Sequence, residues 1–199
     1  ALAVLRPRIP VTVLVSLCGV SPSLVRSFAA DLHGSLLADS DTLQFRDEPT
    51  ETWFRSRFMP HGAELAAIVE GLRPLADSSA YAAASLPYLL WESGDFGQLV
   101  SLALTDDALP AGNDLERHQI AQQRVQFALK AALRQRAYLP AARLALRAGA
   151  QGAGHSRLLR LLRRNPDLAG VFLDAQTIED LVATRDLIGS WPNSNLVHE

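Results

Sequence analysis

One cysteine in 199 residues, Cys18, leaves no partner for a disulfide. A disulfide framework is excluded, and a reducing, cytoplasmic location is the default. Cys18 lies in an apolar run, so the expected role is a small buried core residue. Long apolar runs are missing too. The stretch 9–20 is too short to span a bilayer and contains Pro10, so no membrane contact is expected. It does not read as a signal peptide either, because Pro22 follows and no small-x-small cleavage site is present. The first residue is Ala, which suits a piece cut from a longer protein.

Catalytic patterns are also lacking. There is no Gly-x-x-x-x-Gly-Lys-Ser/Thr loop to cradle phosphates. The glycines at 149, 152 and 154 have no lysine beside them and follow no strand. His33, His61, His118, His155 and His198 never fall at metal-ligand spacing, and no serine sits in Gly-x-Ser-x-Gly. The adjacent carboxylates Asp47-Glu48 and Asp106-Asp107 read as helix caps and solvated loops. The chain is therefore expected to be no enzyme and to hold no metal or cofactor of its own.

What is present points to helices. Leu and Ala dominate, and β-branched residues thin out after Val25. Ser21 is a strong N-cap with Pro22 in the first helical position, and Leu24, Val25, Phe28 and Leu32 recur at helical spacing. Asp39-Ser40-Asp41-Thr42 then separates the short runs 36–38 and 43–45, which reads as a hairpin. Asp47 or Glu48 can cap the next helix, with Pro49 at its first position and Glu51 in its acidic first turn. Segments 2–8 and 10–17 read as two earlier helical pieces, broken by Pro7 and Pro10. The alternation of Val11, Val13 and Val15 leaves a strand open by periodicity alone. Helix, helix, hairpin, helix is the plan of a winged helix, expected over residues 1–62. The hairpin is expected to be its only sheet, with Trp53 and Phe54 closing the core.

Residues 63–190 read as helical hairpins, with 191–199 a loose end. A helix over 63–72 stops near Pro74. Ser79 caps a second one that runs to Glu92 and should kink at Pro87. The break 93–96 and the helix 97–104 complete a hairpin. A longer helix from Asn113 or Asp114 to about Arg136, then a short one from Pro140 closed by Gly149, makes another. Both breaks end in an aromatic, Phe96 and Tyr138, which suggests a repeat of about 40 residues. Residues 156–164 place Leu158, Leu159, Leu161 and Leu162 on one helical side and Arg157, Arg160, Arg163 and Arg164 on the other. Two more short helices are expected over 166–173 and 177–188.

Charge is uneven along the chain. Residues 1–113 carry 7 Lys/Arg against 13 Asp/Glu, residues 114–164 carry 11 against 2, and residues 165–199 carry 1 against 6. A basic middle between acidic flanks suits an anion or acidic-protein surface, with Arg157, Arg160, Arg163 and Arg164 its candidates; a solvated helix face is the plainer alternative. Duplex DNA readout by the winged helix is disfavoured. Its presented helix offers only Arg26 beside Asp31, and the wing carries Asp39 and Asp41. Any nucleic-acid binding should be weak, non-specific and steeply salt-dependent.

The string Leu-Gln-Phe-Arg-Asp-Glu-Pro-Thr-Glu-Thr-Trp-Phe at 43–54, set in a winged helix ahead of helical hairpins, resembles the segment after the ATPase core of STAND-type signalling NTPases, including bacterial NACHT-like and antiphage sensor ATPases. Residues 80–149 resemble tetratricopeptide-like hairpins through Gly94-Asp95-Phe96 and through Tyr138 with Ala141-Ala142. The resemblance implies a mainly α chain, a winged helix followed by an α-solenoid-like array. It implies an ATPase core before Ala1 that holds ATP or ADP and Mg, contacted through Arg46, Asp47 and Glu48. The histidine that touches ADP in plant and animal relatives is absent from that turn. It implies partner proteins for the helical array, and signal transduction rather than chemistry for this chain. Two alternatives are a DNA-binding transcription regulator with a helical effector domain, and a plain helical-repeat scaffold.

Overall fold

A computed structural model describes residues 1–39, 41–105, 109–112 and 114–164, without the side chains of 114, 115 and 154–164. Ala1–Leu146 form one compact unit and Arg147–Glu199 another. The described chain is mainly helical. No single described helix is long and apolar enough to cross a membrane.

The first unit opens with one hydrogen-bonded turn, in which the amides of Val4 and Leu5 both donate to the Ala1 carbonyl at 3.1 Å. The helix expected over 2–8 stops there. Pro7 disfavours the α region at Arg6, and no further helical turn forms. Strand β1 (Ile9–Pro10) follows, then helices α1 (Val11–Cys18) and α2 (Pro22–Asp31), strands β2 (Leu36–Ala38) and β3 (Thr42–Phe45), and helix α3 (Glu48–Phe58). The hairpin is where the sequence placed it, but it is not alone. β1 pairs antiparallel with β3, Ile9 opposite Leu43 and Pro10 opposite Thr42, giving the order β1-β3-β2. Pro10 donates no ladder bond and so suits the edge it occupies. Ile9 and Leu43 are both buried and anchor the sheet to the core.

Local chemistry accounts for the ends. Ser21 Oγ accepts from the Leu24 amide, and Asp47 Oδ1 from the Thr50 amide at 2.8 Å. Gly19 closes α1 at φ +63° and donates to the Val15 carbonyl. The valine alternation in α1 therefore belongs to a helix that buries Val11, Val13 and Leu14. Cys18 ends that helix and is exposed, which corrects the expected core role.

Helix α4 (Ala63–Leu72) runs into a short 3-10 helix at Arg73–Asp77, and α1 packs against α4. Helices α5 (Ala80–Glu92) and α6 (Phe96–Thr105) form a hairpin against α7 (Asp114–Arg134). Ser79 caps α5 through its hydroxyl, and the helix runs on through the buried Pro87. Helix α8 (Tyr138–Arg164) is one helix of 27 residues, which corrects the expected stop at Gly149 and fresh start at Ser156. A glycine inside a helix costs about 1 kcal/mol and ends it only when the chain turns left-handed there; Gly149 and Gly152 do not. Residues 165–199, with the two short helices expected there, fall outside the described residues.

The two helix breaks share one backbone geometry. Gly94 has φ +75° and Arg136, 42 positions on, has φ +55°. Around them the same bonds recur: Asp95 amide to Leu90 carbonyl and Ala137 amide to Ala132 carbonyl, Phe96 to Gly94 and Tyr138 to Arg136. Ala82, Ala83, Leu86, Leu89 and Leu90 are buried, and so are their counterparts Arg124, Val125, Ala128, Ala131 and Ala132.

Candidate partner-contact site

The turn from β3 into α3 holds Arg46, Asp47 and Glu48 together, and each has local work. Arg46 Nη2 donates to the His33 carbonyl at 3.0 Å, and its amide donates to Ser35, so the turn is tied to the end of α2. Asp47 is the cap. The backbone hydrogen bond from Thr50 holds its carboxyl below the usual carboxylate range, with the Arg46 charge adding to the effect. Glu48 opens α3, where a negative charge suits the helix N-terminus. All three are exposed.

Beside this turn stands a face of four rings. Phe45 at the end of β3 meets Phe54 at 5.2 Å, Phe54 meets Phe58 at 4.7 Å, and Trp53 meets Phe58 edge-on at 6.0 Å. Trp53 is 61% exposed and Phe58 52%, and α3 buries no residue fully. The expectation that Trp53 closes the core is therefore corrected. Helical spacing gathered the aromatics on α3, but their neighbours are one another and Phe45. Only Phe54 reaches partial burial. Arg55, from the same helix, turns inward instead. Its Nε donates to Glu51 at 2.8 Å, its Nη2 to the Leu5 carbonyl at 2.6 Å and its Nη1 to that of Ala3 at 3.3 Å.

A second ring cluster joins the helical hairpin to α7. Trp91 lies 5.3 Å from Phe96 and 6.4 Å from Phe127, and Phe127 is 6.4 Å from Tyr88. The Arg134 guanidinium stands 5.7 Å from the Trp91 ring centre and 5.4 Å from that of Phe96, and Lys130 stands over Phe127. Part of the basic surplus of residues 114–164 is thus spent on cation–π packing. The sequence hinted at this only through Phe127, Lys130 and Arg134 recurring at three- and four-residue steps on α7. Arg157, Arg160, Arg163 and Arg164 belong to α8, but their side chains lie outside the described residues.

The helix that a winged-helix reading would present, α2, exposes Leu24 and Phe28, and Leu32 just past its end is exposed too. Leu24 and Phe28 edge an apolar cavity of about 390 Å³ that Leu2, Leu14, Cys18 and Leu43 also line. No paired acid and base face it. Among the described residues no cluster of three or more His, Cys, Asp or Glu could hold a metal ion. No family model matches the sequence, and no curated protein matches it.

Proposed function

We propose that this chain is a non-catalytic regulatory segment of a larger STAND-type signalling ATPase, with a winged helix over residues 1–62 and an array of helical hairpins behind it. The observation that carries the reading is the strand order β1-β3-β2 around α1 and α2, with the hairpin after the second helix. A short strand before the first of two helices, pairing with the far strand of the later hairpin, is what a winged helix requires. The bare ring face beside Arg46, Asp47 and Glu48 supports a second part of the reading. Large exposed aromatics gathered in one patch mark protein contact, and an ATPase core packed there would be restrained by it. The helical array behind would relay a trigger or a partner's binding. DNA readout draws less support, since α2 offers apolar residues where a reader offers cations.

The test uses the full-length protein. A phosphate-binding loop should be encoded ahead of Ala1, and Trp53→Ala with Phe58→Ala should raise basal ATP turnover or assembly by removing the restraint. No such loop, or turnover and assembly unchanged by both substitutions, would count against the proposal.

A further inference from the structure

The segment 1–8 is neither strand nor full helix, yet Ala3, Val4 and Leu5 are only 3%, 1% and 0% exposed. Its carbonyls are gripped from two directions. Arg55 of α3 takes those of Ala3 and Leu5, and the Tyr81 hydroxyl of α5 donates to that of Arg6 at 2.5 Å. The segment ends at Arg8 with φ +57°, a left-handed conformation that is strained for a non-glycine residue. Leu2, Leu5, Arg6 and Pro7 line a small cavity together with Leu36, Leu43 and Phe45, and Phe45 is a member of the open ring face. This irregular segment, buried at Ala3, Val4 and Leu5, is bonded by side chains to both α3 and α5, through Arg55 and through Tyr81, 26 positions further on.

We propose that residues 1–8 are a strap that ties α3 to α5 and releases both together. Val4 and Leu5 cannot leave the core while Arg55 keeps their neighbouring carbonyls. If they leave, Arg55 keeps only Glu51, and the Arg6 carbonyl is drawn off Tyr81. A pull at the Ala1 end is thereby converted into freedom for α3, with its ring face, and for the first helical hairpin at once. Burial raises the Tyr81 phenol above its ordinary range, so it stays a donor across the physiological range. That an ATPase core supplies the pull rests on the proposed function; the unity of the strap does not.

Amide hydrogen exchange on the chain as it stands tests it, under conditions where reclosing outruns exchange. Tyr81→Phe keeps the ring and removes one hydrogen bond, worth about a fivefold change. If the strap opens as a unit, Val4 and Leu5, whose amides bond to the Ala1 carbonyl and not to Tyr81, should exchange about fivefold faster. Arg55→Lys should likewise speed Ile9. Acceleration confined to residues 6–9 in Tyr81→Phe, with Val4 and Leu5 unchanged, overturns the proposal whether or not Arg55→Lys folds. It would leave the regulatory reading of the chain untouched.

Discussion

The two ring clusters of the first unit are finished differently. Phe45, Trp53, Phe54 and Phe58 stack on one another at the edge of the small sheet, and no described cation stands over them. Tyr88, Trp91, Phe96 and Phe127 also stack on one another, but Arg134 and Lys130 lie across them and three helices share them. A ring gathered by several elements and roofed by a cation has its contacts already made. A ring held by one helix and one strand end, with its far side in water, has contact area left to give. The second cluster is therefore structural, and the first is the surface that the proposed function assigns to another protein.

The largest expected effect falls on the roofed cluster. Phe127 touches Tyr88 and Trp91 and carries Lys130 above it, so Phe127→Ala should cost about 2 kcal/mol in a urea titration. A change below about 0.5 kcal/mol, the range of an ordinary surface substitution, would erase the distinction between the clusters.

The turn that delivers Phe96 to this cluster comes next. Nothing lies within 4 Å of where a Gly94 side chain would start, so Gly94→Ala meets backbone strain alone, about 1–2 kcal/mol. The matching turn at Arg136 delivers Tyr138, which is 72% exposed. Arg136→Gly should relieve its strain and stabilise the chain by about 0.5–1 kcal/mol. Thermal unfolding of the two variants reads both signs, and equal signs would mean that the turns are not equivalent.

Smaller still is the roof itself. Arg134→Gln keeps much of the side-chain stem and removes the charge over Trp91 and Phe96, for about 0.5–1 kcal/mol. A double-mutant cycle with Phe96→Leu isolates the term, and a coupling of zero would show that the charge only decorates the surface.

These contrasts were unevenly legible in the sequence. Ser21, Asp47 and Ser79 announced their helices because a cap is a contact over three residues, and the hairpin showed in its own turn chemistry. β1 could not be seen. Two residues form a strand there only because Thr42 and Leu43 arrive beside them from far along the chain. The likeness of the two breaks was visible in Phe96 and Tyr138, but not in Arg136, because a left-handed arginine carries no mark. Spacing put Trp53, Phe54 and Phe58 on one helix without saying whether protein or solvent would face them. The roles of Arg55, Tyr81 and Arg134 depend on elements meeting in space, so no local pattern carried them. As a core-contact turn, Arg46, Asp47 and Glu48 were named through the family resemblance alone, and nothing in their own pattern marked the exposed rings beside them.

The smallest expected effect is the one that most sharpens the comparison. Trp53 has lost little water on folding, and its one ring partner, Phe58, is itself half in solvent. Trp53→Ala should therefore move the unfolding free energy of this chain by no more than about 0.5 kcal/mol, even though a tryptophan is the largest side chain there is to lose. Within a full-length protein the same substitution should weaken the contact made through α3 far more than that, because exposed aromatics are the residues that carry most of an interface's energy. Urea titration of the chain and turnover of the full-length protein give the two readings. A loss of about 2 kcal/mol or more in the chain alone would mean that the ring face is already fully used within this fold. The surface assigned to the partner would then have to be sought elsewhere, with the exposed Leu24 and Phe28 of α2 and the adjoining Leu32 the next apolar face in line.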